Sequence, residues 1–345
     1  MTASPLPHTI PDDVVCRVEN LQTSFSHGKH WIKSVDGVSF DIPKGKTLAV
    51  VGESGSGKSV TSLSMLRLLP NNGRITGGRV MYRHATEGVM DLAELSERRM
   101  RKIRGKNIAM IFQEPMTSLN PLFTVGDQIA EMLMLHEPVS RAQALVRAGD
   151  MLELVEIPAA RKRLDDYPHQ MSGGMRQRVM IAMALICNPT LLIADEPTTA
   201  LDVTVQAQII SLLRRLQEEL GMSIMFITHN LGVVAEIAHE VVVLYAGRVA
   251  EHAQVHDLFE HQKHPYTRGL LACIPDAKRD RTPDGTRLRL RPIMGNVPPA
   301  GRWPSGCTFA PRCEFADAVC TQAVPPLVSV ASHDHLSSCR KHEQL

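Results

Sequence analysis

A glycine-rich run, GESGSGKS, is the first stretch of this sequence that could do chemistry, because it matches the phosphate-binding pattern G-x-x-x-x-G-K-[ST]. Its glycines let backbone N–H groups close around phosphate oxygens, and a helix that begins there adds a favourable field for an anion. We expect Lys58 to bind the β- and γ-phosphates of a nucleotide and Ser59 to ligate Mg²⁺. The run consists of Gly52, Glu53, Ser54, Gly55, Ser56, Gly57, Lys58 and Ser59.

Two adjacent carboxylates form the second candidate group. Asp195 and Glu196 follow the apolar residues 191–193, at the end of a predicted buried strand. Parallel sheets bind ligands at the carboxyl ends of their strands. Asp195 is therefore suited to holding the water shell of a magnesium ion, and Glu196 to polarising an attacking water. Taken alone, the pair has an alternative interpretation, in which both carboxylates are solvent-exposed acids at the end of a strand and have no catalytic role.

The cysteines are unevenly placed. Four of the seven fall near the end of the chain, at Cys307, Cys313, Cys320 and Cys339. A reducing cytosol would not use such a density for disulfides. The spacing therefore indicates a metal or cluster site.

The composition excludes several classes of protein. With 345 residues, the chain has the length of about two domains and can bury a large core, so it is not a disulfide-stapled scaffold. Hydrophobic residues make up 43% and charged residues 21%, which is typical of a folded chain, and the net charge of +2 indicates no partner. No apolar run reaches the roughly 18 residues that span a bilayer. No secretory signal is visible either, so we expect a cytosolic chain.

The elements that must position these residues can be predicted from periodicity. Alternating residues 14–42 predict antiparallel strands with breaks at Gly28 and Gly37. Residues 48–52 predict a strand, and the spacing of Leu63, Leu66 and Leu69 predicts that a helix follows the glycine-rich run.

Further along, strands alternate with helices, which indicates a mainly parallel sheet with helices on both faces. We predict, in order, a strand at 108–112, helical segments within 125–157, a helix at 173–187, a strand at 191–195, a helix at 203–220 and strands at 224–228 and 241–245. A Pro/Arg-rich stretch that begins near Pro275 predicts a linker into a small C-terminal module.

Three further segments resemble one family. They are SGGMRQR at 172–178, DEPTTALD at 195–202, and ITHN, which contains His229. Together with the phosphate-binding run and Gln113 in IFQEP, they occur in the order found in the ATP-binding subunits of ABC transporters. The resemblance covers about residues 14–272.

This resemblance implies a fold and a domain division. The implied fold is the α/β P-loop NTPase fold of ABC ATPases, with a mainly parallel core sheet flanked by helices, an antiparallel β subdomain and a helical subdomain inserted at about residues 114–187. The ATPase domain is expected over residues 1–275. A small cysteine-containing extension is expected over residues 276–345.

The resemblance also implies roles for single residues. Gln113 would contact Mg²⁺ and the attacking water, and His229 would contact the γ-phosphate and help to orient Glu196. Phe25 stands where such proteins stack an aromatic ring on adenine, with a place in the core as the alternative. Thr61 and Asp202 are further expected nucleotide contacts.

The segment SGGMRQR implies that a complete site needs two chains. Ser172, Gly173 and Gly174 would stand at a helix N-terminus and face the γ-phosphate of a nucleotide held by a second ATPase subunit. The family usually has glutamine where this chain has Met175, which cannot repeat the hydrogen bonds of an amide. Asn230 likewise stands where aspartate is usual.

Longer segments, among them IFQEPMTSLNP and HPYTRGLL, resemble the ATPases of oligopeptide and dipeptide importers. This branch implies a peripheral subunit at the cytoplasmic face of the inner membrane that hydrolyses ATP to energise peptide import. The implied partners are two membrane-spanning permease subunits, a second and different ABC ATPase chain and an extracytoplasmic peptide-binding protein, with no nucleic acid. Nickel, glutathione or opines are alternative solutes, and a soluble ABC ATPase outside transport is the alternative class.

The four C-terminal cysteines resemble those of the extension in the same branch, some members of which carry a [4Fe-4S] cluster. Four thiolates match the ligand number of that cluster. A tetrahedral zinc site and unliganded thiols are the alternatives, although the tight C-x2-4-C knuckle common in zinc sites is missing.

Overall fold

The fold is taken from a computed structural model, which describes residues 10–113, 118–199, 201–274, 292–330 and 334–345. Its strands are β1 (Val14–His27), β2 (His30–Pro43), β3 (Thr47–Val51), β4 (Gly73–His84), β5 (Gly88–Asp91), β6 (Ile108–Ile111), β7 (Leu191–Asp195), β8 (Ser223–Thr228), β9 (Glu240–Tyr245), β10 (Arg248–Gln254), β11 (Val328–Ser329) and β12 (Leu336–Ser337). Its α-helices are Lys58–Met65, Glu97–Ile103, Val125–His136, Arg141–Leu154, Ala160–Arg163, Gly173–Leu185, Val203–Leu220, Leu231–Ile237, Val255–Glu260, Pro265–Ala272 and Ala318–Gln322. Short 3₁₀ turns lie at Pro168–Gln170, Ala310–Arg312 and His342–Gln344.

The chain divides into two compact units, each assembled from separate stretches of sequence. The carboxylate unit, named after Asp195 and Glu196, comprises Met1–Cys16, Asp41–Thr47 and Met81–Ile227. The phosphate-loop unit, named after the glycine-rich run, comprises Arg17–Phe40, Leu48–Val80 and Thr228–Leu345.

In the carboxylate unit, three parallel strands lie side by side. β6 pairs with β7, and β7 pairs with β8, in registers that run from Ile108↔Leu191 to Asp195↔Ile227. All five residues of β7 are buried, as expected for a strand covered on both faces. This pairing carries Asp195 and Glu196 to the carboxyl edge of the three strands.

A helical group packs within the same unit. Ser140 and Gln143 form a capping box at the start of helix Arg141–Leu154, since each side chain binds the backbone of the other. Gly126 allows a close approach of backbones, because a Cβ there would lie 2.8 Å from the carbonyl oxygen of Leu164. Helices Val125–His136, Arg141–Leu154 and Gly173–Leu185 contact one another. The segment SGGMRQR, called the signature segment from here on, therefore begins a helix that packs within this group.

In the phosphate-loop unit, β3 pairs in parallel with β9, and the strands that follow are antiparallel. β9 pairs with β10, β10 with β12, and β12 with β11. The C-terminal segment, which comprises the described residues 292–330 and 334–345, thus adds the short strands β11 and β12 to this sheet. His335 strengthens the attachment, because its Nε2 lies 2.8 Å from Oε1 of the fully buried Glu251 of β10.

Aromatic residues form part of the core of this unit. Tyr245 lies at the end of β9. Its ring centroid is 4.6 Å from that of Tyr266 and 5.2 Å from that of Phe309. Phe309 is 4% exposed and belongs to the same apolar cluster, although it lies in the C-terminal segment. The segment therefore shares the core of the phosphate-loop unit.

Most predicted elements are present, with corrections at their ends. The helix Val203–Leu220 and the strand Leu191–Asp195 have the predicted bounds. The predicted break at Gly37 is wrong, because β2 continues through this residue at a φ of 80°. The helix after the glycine-rich run ends at Met65, before the predicted Leu69, because the C-cap Leu66 is followed by Arg67 at a left-handed φ of 52°.

The predicted linker and domain boundary fall on residues 275–291, which lie outside the described residues, and the division at 275/276 stays a prediction. The helical subdomain at about 114–187 stays a prediction in the same way. In the described part of the chain, none of the helices is both long enough and apolar enough to cross a membrane.

Candidate functional site

The candidate residues fall in both units, and the group in each unit is described by itself. In the phosphate-loop unit, the glycine-rich run forms a tight loop between β3 and helix Lys58–Met65. Gly52, Gly55 and Gly57 have φ values of 152°, 79° and 102°, a region that favours glycine. A Cβ at Gly52 would lie 2.3 Å from the carbonyl oxygen of Leu244, so no other residue fits there. The loop has the conformation that a backbone anion cradle requires.

Lys58 lies inside this loop and is only 6% exposed. Its Nζ donates to the carbonyl oxygens of Gly52 at 2.7 Å and Glu53 at 3.1 Å. The ammonium is thus held at the mouth of the loop by backbone oxygens that it can exchange for phosphate oxygens. The phosphate-binding role of Lys58 stays a prediction.

Other predicted residues of this unit lie at its surface or beside the loop. Ser59 is partly exposed at the start of the helix, and His229 is exposed directly after β8. Thr61 is buried, and its hydroxyl donates to the carbonyl oxygen of Gly57 at 2.9 Å, so it stabilises the loop backbone. Phe25 is half-buried and packs against Gly73, where a Cβ would lie 2.6 Å from its ring.

In the carboxylate unit, Asp195 ends β7 with 4% exposure, and Glu196 follows it with an unusual backbone. Glu196 has a φ of 47°, a left-handed conformation that is costly for a residue with a side chain. Glu196 lies directly after β7, which ends at Asp195. Its Oε2 accepts hydrogen bonds from Nε2 of Gln113 at 3.2 Å and from the hydroxyl of Thr199 at 3.0 Å.

The signature segment begins helix Gly173–Leu185, as predicted. Ser172 is the N-cap, and its hydroxyl accepts from the N–H of Met175 at 3.3 Å. Ser172 and Gly173 are exposed, so this helix N-terminus is accessible to an anion. A Cβ at Gly174 would lie 2.9 Å from the side chain of Val205, which explains a glycine at that position.

Asp202 has a structural role that its predicted role did not include. It is the N-cap of helix Val203–Leu220, and its carboxylate accepts from the N–H of Val205 at 3.0 Å. This bond caps the first turn of the helix.

The four C-terminal cysteines line one cavity in the phosphate-loop unit and form no disulfide. The N–H of Cys307 donates to the carbonyl oxygen of Cys320 at 2.8 Å, which ties two of them together. Burial raises the pKa of the Cys339 thiol to about 11, and it also raises the pKa values of Cys307 and Cys313.

The predicted metal centre is not preformed. Among the described residues, which include all four of these cysteines, no three His, Cys, Asp or Glu side chains are arranged to hold a metal ion. The donor set nevertheless has the number and chemistry of a cluster site, and its four members share one cavity.

Sequence reasoning missed three residues that contact the predicted ones. Thr199 lies within the segment DEPTTALD, so its hydrogen bond to Glu196 could have been considered. Tyr266 lies in HPYTRGLL, and its hydroxyl accepts from the N–H of Glu53 at 2.8 Å. Arg312 binds the carboxylate of Glu53 from 259 positions away, and no sequence signal pointed to it.

Comparison with known families assigns both parts of the chain. Residues 35–199 match the family described as ABC transporter. Residues 250–320 match the family described as oligopeptide/dipeptide transporter, C-terminal region. The second match begins within β10.

Curated relatives match along nearly the whole chain. A peptide import ATP-binding protein of Brucella abortus is 53% identical over 334 residues, covering 95% of this chain and 97% of that protein. The dipeptide transport ATP-binding protein DppD of Bacillus subtilis is 47% identical, covering 96% of this chain and 95% of that protein.

Solved structures agree with the fold. A dimeric ATP-binding cassette in a post-hydrolysis state, bound to ADP and phosphate, is similar with a TM-score of 0.61 and 28% identity, covering 70% of this chain and 98% of that one. A component of an ABC transporter complex from Clostridium perfringens is similar with a TM-score of 0.61 and 25% identity, covering 73% of this chain and 93% of that one. The predicted α/β P-loop NTPase fold of the ABC type is confirmed, and the chain belongs to the ATP-binding proteins of ABC transporters, in their oligopeptide and dipeptide transporter branch.

Proposed function

We propose that the chain binds and hydrolyses ATP to energise the import of peptides by an ABC transporter. One observation carries the proposal: the phosphate loop is preformed around a buried Lys58 in a chain of the oligopeptide and dipeptide branch. The relatives named for peptide import and dipeptide transport support peptides as the solute.

In the phosphate-loop unit, we propose that Lys58 and the backbone N–H groups of residues 52–59 bind the β- and γ-phosphates of ATP. Lys58 already faces backbone oxygens, so phosphate oxygens can take their place. His229 is proposed to donate to the γ-phosphate, and its exposure is compatible with this role. Phe25 would stack on adenine with the part of its ring that Gly73 leaves uncovered.

In the carboxylate unit, we propose Glu196 as the residue that polarises the attacking water. Its carboxylate is held by Gln113 and Thr199, so its direction is set before any water binds. Gln113 and Asp195 of this unit carry the oxygen donors that Mg²⁺ prefers and are proposed as its ligands, and Ser59 of the phosphate-loop unit is proposed as a further ligand through its hydroxyl. When bound, this ion neutralises negative charge that develops on the phosphate oxygens.

Thr199→Val tests the orientation of Glu196. Loss of one hydrogen bond to a carboxylate is expected to slow ATP turnover about tenfold, with little change in ATP affinity. Steady-state kinetics and an independent nucleotide-binding assay give the two numbers. Thr204→Val, an exposed threonine on the helix that follows, is the matched control. Equal turnover in the two variants would contradict the orienting role of Thr199.

We propose that Ser172, Gly173 and Gly174 serve a nucleotide held by a second ATPase chain. The exposed N-terminus of a 13-residue helix supports this, because its N–H groups favour an anion. Met175 supplies only its backbone N–H, which already binds Ser172, so its side chain adds no polar contact there.

The proposed partners are two membrane-spanning permease subunits, a second ABC ATPase and an extracytoplasmic peptide-binding protein. The proposed location is the cytoplasmic face of the inner membrane. A mild-detergent pull-down of the chain from its own membranes, followed by mass spectrometry, tests this. Recovery of these four components supports the importer, and the ligand of the binding protein would name the solute. Recovery of soluble partners alone would contradict the transport function.

We further propose that Cys307, Cys313, Cys320 and Cys339 hold a [4Fe-4S] cluster. Their shared cavity and their number support this. Burial raises the pKa values of Cys307, Cys313 and Cys339, so these three thiols are protonated at neutral pH when no metal is bound. Metal uptake must displace these protons, so the affinity is expected to fall as the pH falls.

Iron and acid-labile sulfide analysis of anaerobically purified protein tests the cluster. Both are expected in the wild type and lost in Cys320→Ser and Cys339→Ser. Cys273→Ser, a cysteine of the same unit that does not line the cavity, should keep them. Zinc without iron or sulfide would overturn the cluster in favour of a zinc site, and absence of any metal would overturn both.

A further inference from the structure

The second residue of the phosphate loop is held by an arginine from the C-terminal segment. The guanidinium of Arg312 donates to both carboxylate oxygens of Glu53, at 2.6 Å and 3.0 Å. The side chain of Arg312 is only 5% exposed, and that of Glu53 is 29% exposed. A bidentate pair of this kind fixes direction as well as distance.

The arginine is itself fixed by its surroundings. Its Nε donates to the carbonyl oxygen of Met294 at 2.9 Å, and Nη2 donates to that of Ile293 at 3.2 Å. The guanidinium carbon lies 5.8 Å from the centre of the Tyr245 ring. Arg312 therefore presents a rigid fork to the loop rather than a mobile charge.

The backbone of Glu53 is held from the same side. Its N–H donates to the hydroxyl of Tyr266 at 2.8 Å. The ring of Tyr266 in turn packs against Phe309, with 5.4 Å between the two ring centroids. The carbonyl oxygen of Glu53 accepts from Lys58, at 3.1 Å. Glu53 thus links the ammonium of Lys58 to the packed C-terminal segment through both its side chain and its backbone.

The same part of the C-terminal segment reaches the cysteine-lined cavity. Phe309 lines this cavity together with His264, and Cys313, another of its lining residues, follows Arg312 directly. Burial lowers the pKa of His264 to about 3, so its ring adds no charge to this region at neutral pH. A movement of residues 309–313 would therefore displace residues that line the cavity and also the arginine that binds Glu53 of the phosphate loop.

We infer that Arg312 is a positioning residue for the phosphate loop, through which binding of ATP and the order of the C-terminal segment depend on each other. The inference rests on the proposed function, because it requires that the loop binds ATP. Since coupling between two sites is reciprocal, ATP should order the segment by the same factor by which the segment favours ATP.

Arg312→Met in the full chain tests the positioning. The Kd and the KM for ATP are expected to rise about tenfold, within the usual range of coupling between sites, while kcat at saturating ATP changes less. Arg312→Lys should recover part of the affinity, because it keeps the charge but not the bidentate geometry. Arg302→Met, which removes an exposed arginine of the same segment outside the cavity, is the matched control and should bind ATP as the wild type does.

The double variant Arg312→Met/Glu53→Gln separates positioning from stability. Removing one partner of a buried pair leaves an uncompensated charge and lowers the Tm, whereas removing both charges restores much of it. If Arg312 positions the loop, the double variant regains the Tm but keeps the weakened Kd for ATP. Recovery of both the Tm and the affinity would show a merely structural role and overturn the inference.

Hydrogen exchange of peptides from residues 305–322 tests the reciprocal effect. MgATP is expected to slow exchange in the wild type and in Arg302→Met, but not in Arg312→Met. Wild-type protein that fails to bind ATP would contradict the proposed function. If the wild type and Arg312→Met bind ATP equally well, and MgATP slows hydrogen exchange of residues 305–322 equally in both, the inference is overturned while the proposed function stands.

Discussion

Glu196→Gln is expected to slow ATP hydrolysis at least about hundredfold while ATP binding stays close to that of the wild type. The amide has the shape of the carboxylate and can still accept from Gln113 and Thr199, so the local geometry should persist. It cannot take a proton from water at neutral pH. The expected loss of ATP turnover therefore measures the contribution of Glu196 as a base, separately from the contribution of its side-chain position.

The left-handed backbone of Glu196 supports this expectation. Backbone strain at a residue with a side chain persists only where the surroundings impose it, and here the N–H of Glu196 donates to the carbonyl oxygen of Ile227 at 2.9 Å. Single-turnover hydrolysis and equilibrium ATP binding measure the two effects. Glu94→Gln, an exposed carboxylate of the same unit, is the control. Turnover near that of the wild type in Glu196→Gln would contradict the role of Glu196.

Lys58→Ala is expected to weaken ATP binding about tenfold to hundredfold. Charge-assisted hydrogen bonds contribute about 1.5–3 kcal/mol each, and about 1.4 kcal/mol changes a binding constant tenfold. The variant also removes the bonds from Nζ to Gly52 and Glu53, which hold the loop before ATP binds.

Fluorescent nucleotide titration of the full chain measures this effect. Lys29→Ala, in the exposed turn between β1 and β2 of the same unit, is the matched control because it removes a lysine far from the loop in sequence. A thermal unfolding curve for each variant shows whether the fold is retained. A folded Lys58→Ala protein with unchanged ATP affinity would exclude Lys58 from phosphate binding.

The comparison of sequence and structure shows which features are local. Glycine at residues 52, 55 and 57 is required by the conformation of the loop itself, and the loop residues are contiguous, so a short motif predicts the loop. The caps Ser172 and Asp202 act within three residues of their partners, and the helices that they begin were predicted at the observed first residues. Local chemistry of this kind can be deduced without the fold.

The role of Gly37 shows where such reasoning fails. A glycine in an alternating pattern predicts a break, but the positive φ at this residue is accommodated inside β2. Strand pairing, which depends on neighbours distant in sequence, decides whether such a residue ends a strand or only distorts it.

By itself, the sequence determined the family, the phosphate loop, the acidic strand end and most of the helices, because each depends on residues close together along the chain. Only the tertiary structure showed that the C-terminal segment joins the sheet of β10, that Arg312 holds Glu53, and that the cysteines share a cavity without forming a ready metal site. These contacts join residues far apart in sequence, and a pair of charges or thiols has no periodicity that marks its partner. The packing of the core brings them together, so they can be deduced only after the chain has folded.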